Sequence, residues 1–178
     1  MLIPGIDNQV IELNILGYQY PTATKGKWDP KWLRIYFHLH HREQPMEVTD
    51  PSLTAFEVEE WAEWMEQLAE SPVTIKSAQY FTEPNLRLEL LNAPTEEVKQ
   101  IRVFFEQELK PNELRFDDID FYIDLALTKE ELRTIAAHLR AELAPFPVRG
   151  EMEEEEEMEE EMEEKEMEEE GMEEEEED

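Results

Sequence analysis

Two histidines at alternate positions, His38 and His40, have the spacing of a metal site. Side chains at i and i+2 of a strand point the same way, so two imidazoles could face one ion, with Asp118, Asp120 or Asp124 from a neighbouring strand as a third ligand. The chain holds only four His and has no downstream His-x-x-His or Glu-x-x-His. The solvent face of an amphipathic strand is therefore the favoured interpretation, and we expect neither a metal nor another cofactor.

A second candidate is the acidic run Asp117-Asp118-x-Asp120-x-x-x-Asp124, which also contains Tyr122. General acid–base catalysis needs two carboxyl groups in different environments, one of them usually desolvated. These carboxylates would share the polar face of one strand and stay hydrated. Acids interspersed with aromatic side chains are instead typical of protein recognition. The predicted partner-binding residues are Glu106, Asp118, Asp120, Tyr122 and Asp124.

Other kinds of catalytic centre have no matching residues. The absence of Cys excludes thiolate catalysis, disulfides and thiolate zinc sites, and five Gly leave no glycine-rich phosphate loop. No Ser or Thr lies in a nucleophile-elbow setting, and no Lys has the pattern of a Schiff-base residue. We therefore predict a binding protein without enzymatic activity.

The charge of the chain indicates the kind of partner. Among 178 residues there are 47 acids and 16 bases, a net charge of -31, of which residues 151–178 carry -20 and residues 1–150 carry -11. A body of this sign repels phosphate backbones, so we expect no direct binding of nucleic acid. A basic protein is the better electrostatic partner.

The composition divides the chain into a single domain, 1–150, and a Glu/Met tail, 151–178. The tail has too few apolar side chains to offset the entropy of ordering, so we predict that it is disordered. It could bind a basic partner, although a low-complexity extension that raises solubility is favoured. No apolar stretch is long enough to span a membrane, and the N-terminus lacks the pattern of a secretory signal, so we expect a cytoplasmic protein.

The elements that would position these residues follow from hydrophobic periodicity. Two helices are predicted to start at the N-caps Thr54 and Thr128, where Glu57 and Glu131 complete capping boxes. Apolar and polar residues alternate, as in half-buried strands, in segments 10–16, 32–40, 86–90, 101–106 and 118–125. The predicted fold class is α+β: a mostly antiparallel sheet with one face covered by two amphipathic helices.

Five segments of the body carry a family resemblance. They are Ile15-Leu16-Gly17-Tyr18-Gln19-Tyr20-Pro21, Trp32-Leu33-Arg34-Ile35, Thr49-Asp50-Pro51-Ser52-Leu53-Thr54, Phe81-Thr82-Glu83-Pro84-Asn85-Leu86 and Phe146-Pro147-Val148-Arg149. In this order, over about residues 10–149, they resemble the WapI-type immunity proteins, small bacterial proteins that accompany wall-associated polymorphic toxins. The resemblance implies a cytosolic antidote that binds and blocks a cognate toxin domain, often a nuclease. It brings no catalytic residues, and the Glu/Met tail departs from it.

The sequence thus predicts an immunity protein whose polar sheet face covers the active site of a basic toxin, such as a nuclease. Two alternatives from other classes stay open. One is a metal-dependent enzyme built on His38 and His40. The other is an acidic chaperone that binds basic proteins through its tail.

Overall fold

A computed structural model describes residues 1–23, 31–41, 44–70, 73–114 and 119–149. The predicted disorder of the tail concerns residues outside this part of the chain. The sequence also predicts that Ser71-Pro72 ends the first helix, and these two residues, like Asp118, lie outside the described residues.

The described chain contains eight strands and two α-helices, besides two short 3-10 turns, and the α+β class is confirmed. The strands are β1 (Leu2–Pro4), β2 (Val10–Tyr18), β3 (Trp32–His41), β4 (Gln44–Thr54), β5 (Ala78–Tyr80), β6 (Leu86–Leu90), β7 (Lys99–Phe105) and β8 (Phe121–Leu127), and the helices are α1 (Ala55–Ala69) and α2 (Lys129–Leu143). The strands form two antiparallel sheets in the orders β1-β2-β3-β4 and β5-β6-β7-β8. Alternation predicts a covered face for each strand but does not show that the strands divide between two sheets.

The apolar faces of both sheets contribute to one core. Leu13, Ile35 and Phe37 of the first sheet are fully buried, as is Phe105 of the second. The rings of Phe37 and Phe105 meet edge to face, with centroids 5.9 Å apart. The opposite faces of the two sheets are consequently left for polar residues.

The two helices complete this core and pack against each other. Both capping boxes are present, at Thr54/Glu57 and Thr128/Glu131. Helical spacing predicts the apolar stripes Val58, Trp61, Met65 and Leu68 on α1 and Leu132, Ile135, Ala136, Leu139 and Leu143 on α2. All of these residues are buried except Leu143, which is partly buried and packs against the core. In the described part of the chain, no helix is long and apolar enough to cross a bilayer.

Candidate functional site

Four of the five predicted partner-binding residues lie around one end of the β7–β8 pair. The register places Phe104 opposite Tyr122, and the ladder ends at Phe105 opposite Phe121. Glu106 follows that last pair on one strand, and Asp120 precedes it on the other. Tyr122 and Asp124 occupy the polar face of β8, because the residues between and beside them are buried. The fifth predicted residue, Asp118, is outside the described chain.

Two arginines lie among these acids and change the electrostatics of the face. Arg102 donates from Nε and Nη2 to the two carboxylate oxygens of Asp124, at 2.7 and 2.9 Å. This hydrogen bonding raises the pKa of Arg102, so its guanidinium stays charged and holds the carboxylate in a bidentate pair. Arg87 forms ion pairs with Glu89 and Glu106. The outer face of the second sheet is therefore a partly neutralised network of charges, although the acids of β8 taken alone predict a negative surface.

The same arginines stack on the aromatic rings of this face. The guanidinium carbon of Arg87 lies 3.7 Å from the ring centroid of Phe104, and that of Arg102 lies 3.7 Å from the ring centroid of Tyr122. Phe104 is only 5% exposed. The guanidinium groups thus cover these rings and are themselves paired with carboxylates. The side chains of this face are therefore fixed by their contacts with one another before any partner binds.

A cleft opens beside this face and is the principal concave feature near the predicted residues. Its first compartment has a volume of about 840 Å³ and includes Asp120, Tyr122 and Asp124 together with Asp7, Gln9, Leu114 and Ile119. Its second compartment, of about 560 Å³, includes Pro45, Met46, Glu47, Val48, Glu108, Lys110, Asn112 and Glu113. His41, Pro111 and Phe121 line both compartments, so the two adjoin, and together they are called here the acidic cleft.

The acidic cleft combines an anionic rim with an apolar centre. Its described lining contains six carboxylates and one lysine: Asp7, Glu47, Glu108, Glu113, Asp120, Asp124 and Lys110. At its centre the rings of His41 and Phe121 meet edge to face, with centroids 5.0 Å apart. Ile119 is 56% exposed at the rim. An apolar centre inside a charged rim is the usual anatomy of a protein-recognition site.

The histidine pair lies elsewhere, on the outer face of the first sheet. His38 Nδ1 is 3.5 Å from an Oε of Glu12, the residue opposite it on β2. Of the three predicted third ligands, Asp118 is outside the described chain, and Asp120 and Asp124 lie just before and on β8, which belongs to the other sheet and does not pair with β3. Within the described residues, no group of three or more His, Cys, Asp or Glu could hold a metal ion.

Sequence reasoning does not identify all the residues of this candidate site. Arg87 and Arg102 alternate visibly with apolar residues, yet only the register shows that Arg102 faces Asp124. The cleft walls supplied by Asp7 and by Pro45–Val48 come from segments far from β8 in the chain. No sequence signal links them, because contacts between distant segments depend on the packing of the two sheets.

By its fold and its cleft, this chain is a small two-sheet α+β protein with an anionic recognition cleft. A family model described as "Immunity protein WapI-like family" matches residues 1–147, and the chain belongs to this family. No curated protein matches the sequence. The resemblance seen in the five sequence segments is thereby confirmed, and membership supports a role in immunity, that is, in toxin neutralisation.

Proposed function

We propose that this protein is a non-enzymatic antidote that binds a basic toxin domain in the cytoplasm and blocks its active site with the acidic cleft. The observation that carries the proposal is that Asp120, Tyr122 and Asp124 line a cleft with six carboxylates and one lysine, in a member of an immunity family. A cleft of this charge complements a cationic surface, and an apolar side chain of the toxin would be desolvated against Ile119, which is 56% exposed at the rim.

The negative charge of the acidic cleft is best suited to a nuclease as the toxin. Enzymes that cut RNA or DNA need cationic surfaces to bind phosphates, so an acidic inhibitor competes directly for the surface that the substrate uses. Electrostatic steering can raise association rates to about 10⁸–10⁹ M⁻¹s⁻¹ at low salt. Fast association is useful to an antidote, because the toxin must be blocked before it acts.

The predicted residues should contribute unequally. Asp124 and Glu106 are already paired with Arg102 and Arg87. Asp120 is exposed, and the described residues show no ion pair with it. A toxin cation can therefore pair with Asp120 without first breaking an internal salt bridge. We expect Asp120 to dominate the electrostatic part of binding, with Tyr122 and Asp124 fixing the shape of the surface.

The test is charge reversal at the rim. Sequencing the neighbouring genes identifies the candidate polymorphic toxin, and its catalytically inactivated C-terminal domain is the probe. The Kd of this domain is measured by titration calorimetry at several salt concentrations. Asp120→Lys should weaken binding about tenfold or more and make the dependence on salt shallower. Glu63→Lys, an equal charge change on the exposed side of α1, is the matched control. Equal affinity and equal salt dependence for both variants would exclude the cleft as the docking site.

The charge of the tail supports a second candidate, an acidic chaperone for basic proteins. Residues 151–178 carry -20 of the -31 net charge. Deleting everything after Gly150 distinguishes the two functions. An antidote that uses the acidic cleft keeps its affinity for the toxin domain after this deletion, whereas a chaperone that acts through the tail loses its ability to keep basic proteins soluble.

A further inference from the structure

We infer that the segment of the partner that enters the second compartment of the acidic cleft is an extended, cationic strand that pairs with the free edge of β4 at Pro45–Thr49. This inference rests on the proposed function and specifies the form of the partner's docking element. It is carried by three features of the described chain: the position of β4 in its sheet, the direction of its backbone groups, and the groove beside it.

β4 is a terminal strand of the first sheet. In the order β1-β2-β3-β4 it pairs only with β3, and it is the longest strand of the described chain at 11 residues. The ladder to β3 is regular from His41↔Gln44 to Ile35↔Asp50. An exposed edge of this length carries unpaired N–H and C=O groups that can accept another strand, and natural proteins usually protect such edges.

The phase of the β3–β4 ladder shows which backbone groups face outward. On β2 the N–H groups of Leu13 and Ile15 donate away from β3, to Met1 O and Glu142 Oε2, so Leu13↔Phe37 and Ile15↔Ile35 are non-hydrogen-bonded pairs. Phe37 and Ile35 therefore direct their main-chain groups towards β4, and Phe37↔Val48 and Ile35↔Asp50 are hydrogen-bonded pairs. Hydrogen-bonded and non-hydrogen-bonded pairs then alternate along the strands. Pro45, Glu47 and Thr49 are therefore the residues whose main-chain groups point away from β3. Proline, which has no N–H to donate, is expected at such an outward position.

The outward groups of Glu47 and Thr49 have no recorded substitute partner. Among the described residues, the backbone hydrogen bonds that lie outside the ladders and helices include none to either residue. The alternate residues Met46 and Val48 are partly buried and pack against the core. The core thus holds the strand in place while its outer main chain stays available.

A groove runs along this edge and has the charge of a site for a basic segment. Its second wall includes Pro111, Asn112 and Glu113. Glu47, Glu108 and Glu113 face a single Lys110 in the described lining. Strand addition takes its affinity from main-chain hydrogen bonds and its specificity from side-chain contacts, so a cationic strand satisfies both requirements here. A second copy of this chain does not meet these requirements, because its body is negative and the pairing of two β4 edges would bring carboxylates together.

Amide hydrogen exchange, resolved by NMR on the full chain, tests the inference directly. In the free protein the amides of Met46 and Val48 should be protected and those of Glu47 and Thr49 should exchange fast. On binding the inactivated toxin domain, the Glu47 and Thr49 amides should slow about a hundredfold or more. Ala78 and Tyr80 on β5, a terminal strand of the other sheet, are the internal control and should not change.

A pair of variants provides the second arm. Thr49→Pro removes the outward N–H without breaking a bond to β3, whereas Thr49→Val keeps the N–H and the β-branched shape. Thr49→Pro should weaken toxin binding about tenfold, and Thr49→Val by less than about threefold. Circular dichroism and the melting temperature check that both variants fold. If Thr49→Pro does not fold, the exchange experiment on the unmodified chain decides alone.

The outcomes separate this inference from the proposed function. If the unmodified chain does not bind the toxin domain, the proposed function fails. If it binds, but the Glu47 and Thr49 amides stay fast and the two variants bind equally, strand addition is wrong while the antidote function stands. Protection of these amides that appears only with rising concentration of the free chain would assign the edge to self-association and overturn the inference.

Discussion

Glu57 Oε1 accepts a hydrogen bond from the backbone N–H of Thr82 at 2.5 Å. The other carboxylate oxygen of Glu57 accepts from the N–H of Thr54 at 2.8 Å, within the capping box of α1. Glu57 is buried, with 5% of its surface exposed. One buried carboxylate therefore caps the start of the first helix and also binds the segment that leads into β6. Because α1 follows β4 of the first sheet and β6 belongs to the second sheet, these two hydrogen bonds link the sheets.

The first prediction concerns this double role. In Glu57→Gln, one end of the side chain becomes an NH₂ group that cannot accept from either N–H, so a buried donor loses its partner. We expect the free energy of unfolding to fall by about 2–3 kcal/mol. Glu131→Gln is the matched control, because Glu131 completes the capping box of α2 at an exposed site, and it should cost less than about 1 kcal/mol. Urea unfolding measures both losses, and equal values would contradict the argument.

The second prediction concerns residues 146–149, which close the body. Phe146 meets the ring of Tyr18 edge to face at 5.7 Å, the Tyr18 hydroxyl donates to the carbonyl of Pro147, and the Arg149 guanidinium lies 3.5 Å above the Tyr18 ring. Deletion of 151–178 should leave the melting temperature unchanged. Deletion of 146–178 should cost about 2 kcal/mol or more, because it removes an aromatic pair, a hydrogen bond and a cation–π contact.

Differential scanning calorimetry of the two truncated chains and the full chain checks this boundary. A large loss on removing only 151–178 would show that the tail contributes to the fold, contrary to the predicted domain division. Equal stability of both truncated chains would show that the contacts of Tyr18 do not matter for stability.

The third prediction concerns the pH and salt dependence of the helix pair. Arg140 of α2 pairs with Glu59 at 2.6 Å and Glu66 at 2.5 Å on α1. The hydrogen bond from Arg140 lowers the pKa of Glu66 below its ordinary value of 4.5. A carboxyl whose pKa is lower in the folded state stabilises it above the unfolded-state pKa, and this stability is lost as the pH falls through the folded-state pKa.

Arg140→Met should therefore cost up to about 1 kcal/mol at pH 7 and low salt, since these groups are largely exposed. The difference between the variant and the unmodified chain should shrink as the pH falls below about 4.5 and as salt is added. Arg34→Met on β3 is the control, because Arg34 is exposed and no ion pair is recorded for it among the described residues. A cost that is the same at pH 7 and pH 3 would indicate lost packing instead of lost charge pairing.

The fourth prediction concerns Gly5, which packs closely against β8, two residues before the cleft residue Asp7. A Cβ at this position would lie 2.9 Å from Cγ2 of Ile123 and 3.1 Å from the carbonyl oxygen of Asp124. Gly5→Ala should therefore cost about 1–3 kcal/mol through overpacking and shift the following turn, which carries Asp7 into the cleft. Thermal unfolding measures the cost. Adding Ile123→Val to Gly5→Ala keeps the methyl group that clashes with the new Cβ, so the double variant should not regain stability. If Gly5→Ala is as stable as the unmodified chain, the close contact is refuted.

The segments that carry the family resemblance make contacts that hold the fold together. Asn85 Nδ2 donates to Asp50 Oδ1 at 2.9 Å, which joins the 81–86 segment to the 49–54 segment. Residues 146–149 cover Tyr18 in the 15–21 segment. None of the residues that line the acidic cleft belongs to these five segments. The residues that make the chain recognisable are thus separate from the acidic cleft, and they meet the proposed toxin surface only at Thr49, on the edge of β4.

Local signals were sufficient for the helices and for most of the longer strands. A capping box needs only residues three positions apart, so Thr54/Glu57 and Thr128/Glu131 fixed both helix starts. β1 and β5 have three residues each, too few for alternation to be visible, and they were missed. β4 was missed as a strand because Pro45 and Pro51 argue against one, although an edge strand tolerates them.

By itself the sequence determined the charge of the body, the absence of thiol chemistry, the helix starts and the polar face of each recognised strand, because these depend on composition or on neighbours within a few residues. The tertiary structure alone decided that there are two sheets, that Arg102 neutralises Asp124, and that carboxylates as distant as Asp7, Glu47 and Asp120 border one cleft. Strand register and the packing of one sheet on another are long-range choices. They are set by how all the apolar faces are buried together, and no short stretch of sequence encodes them.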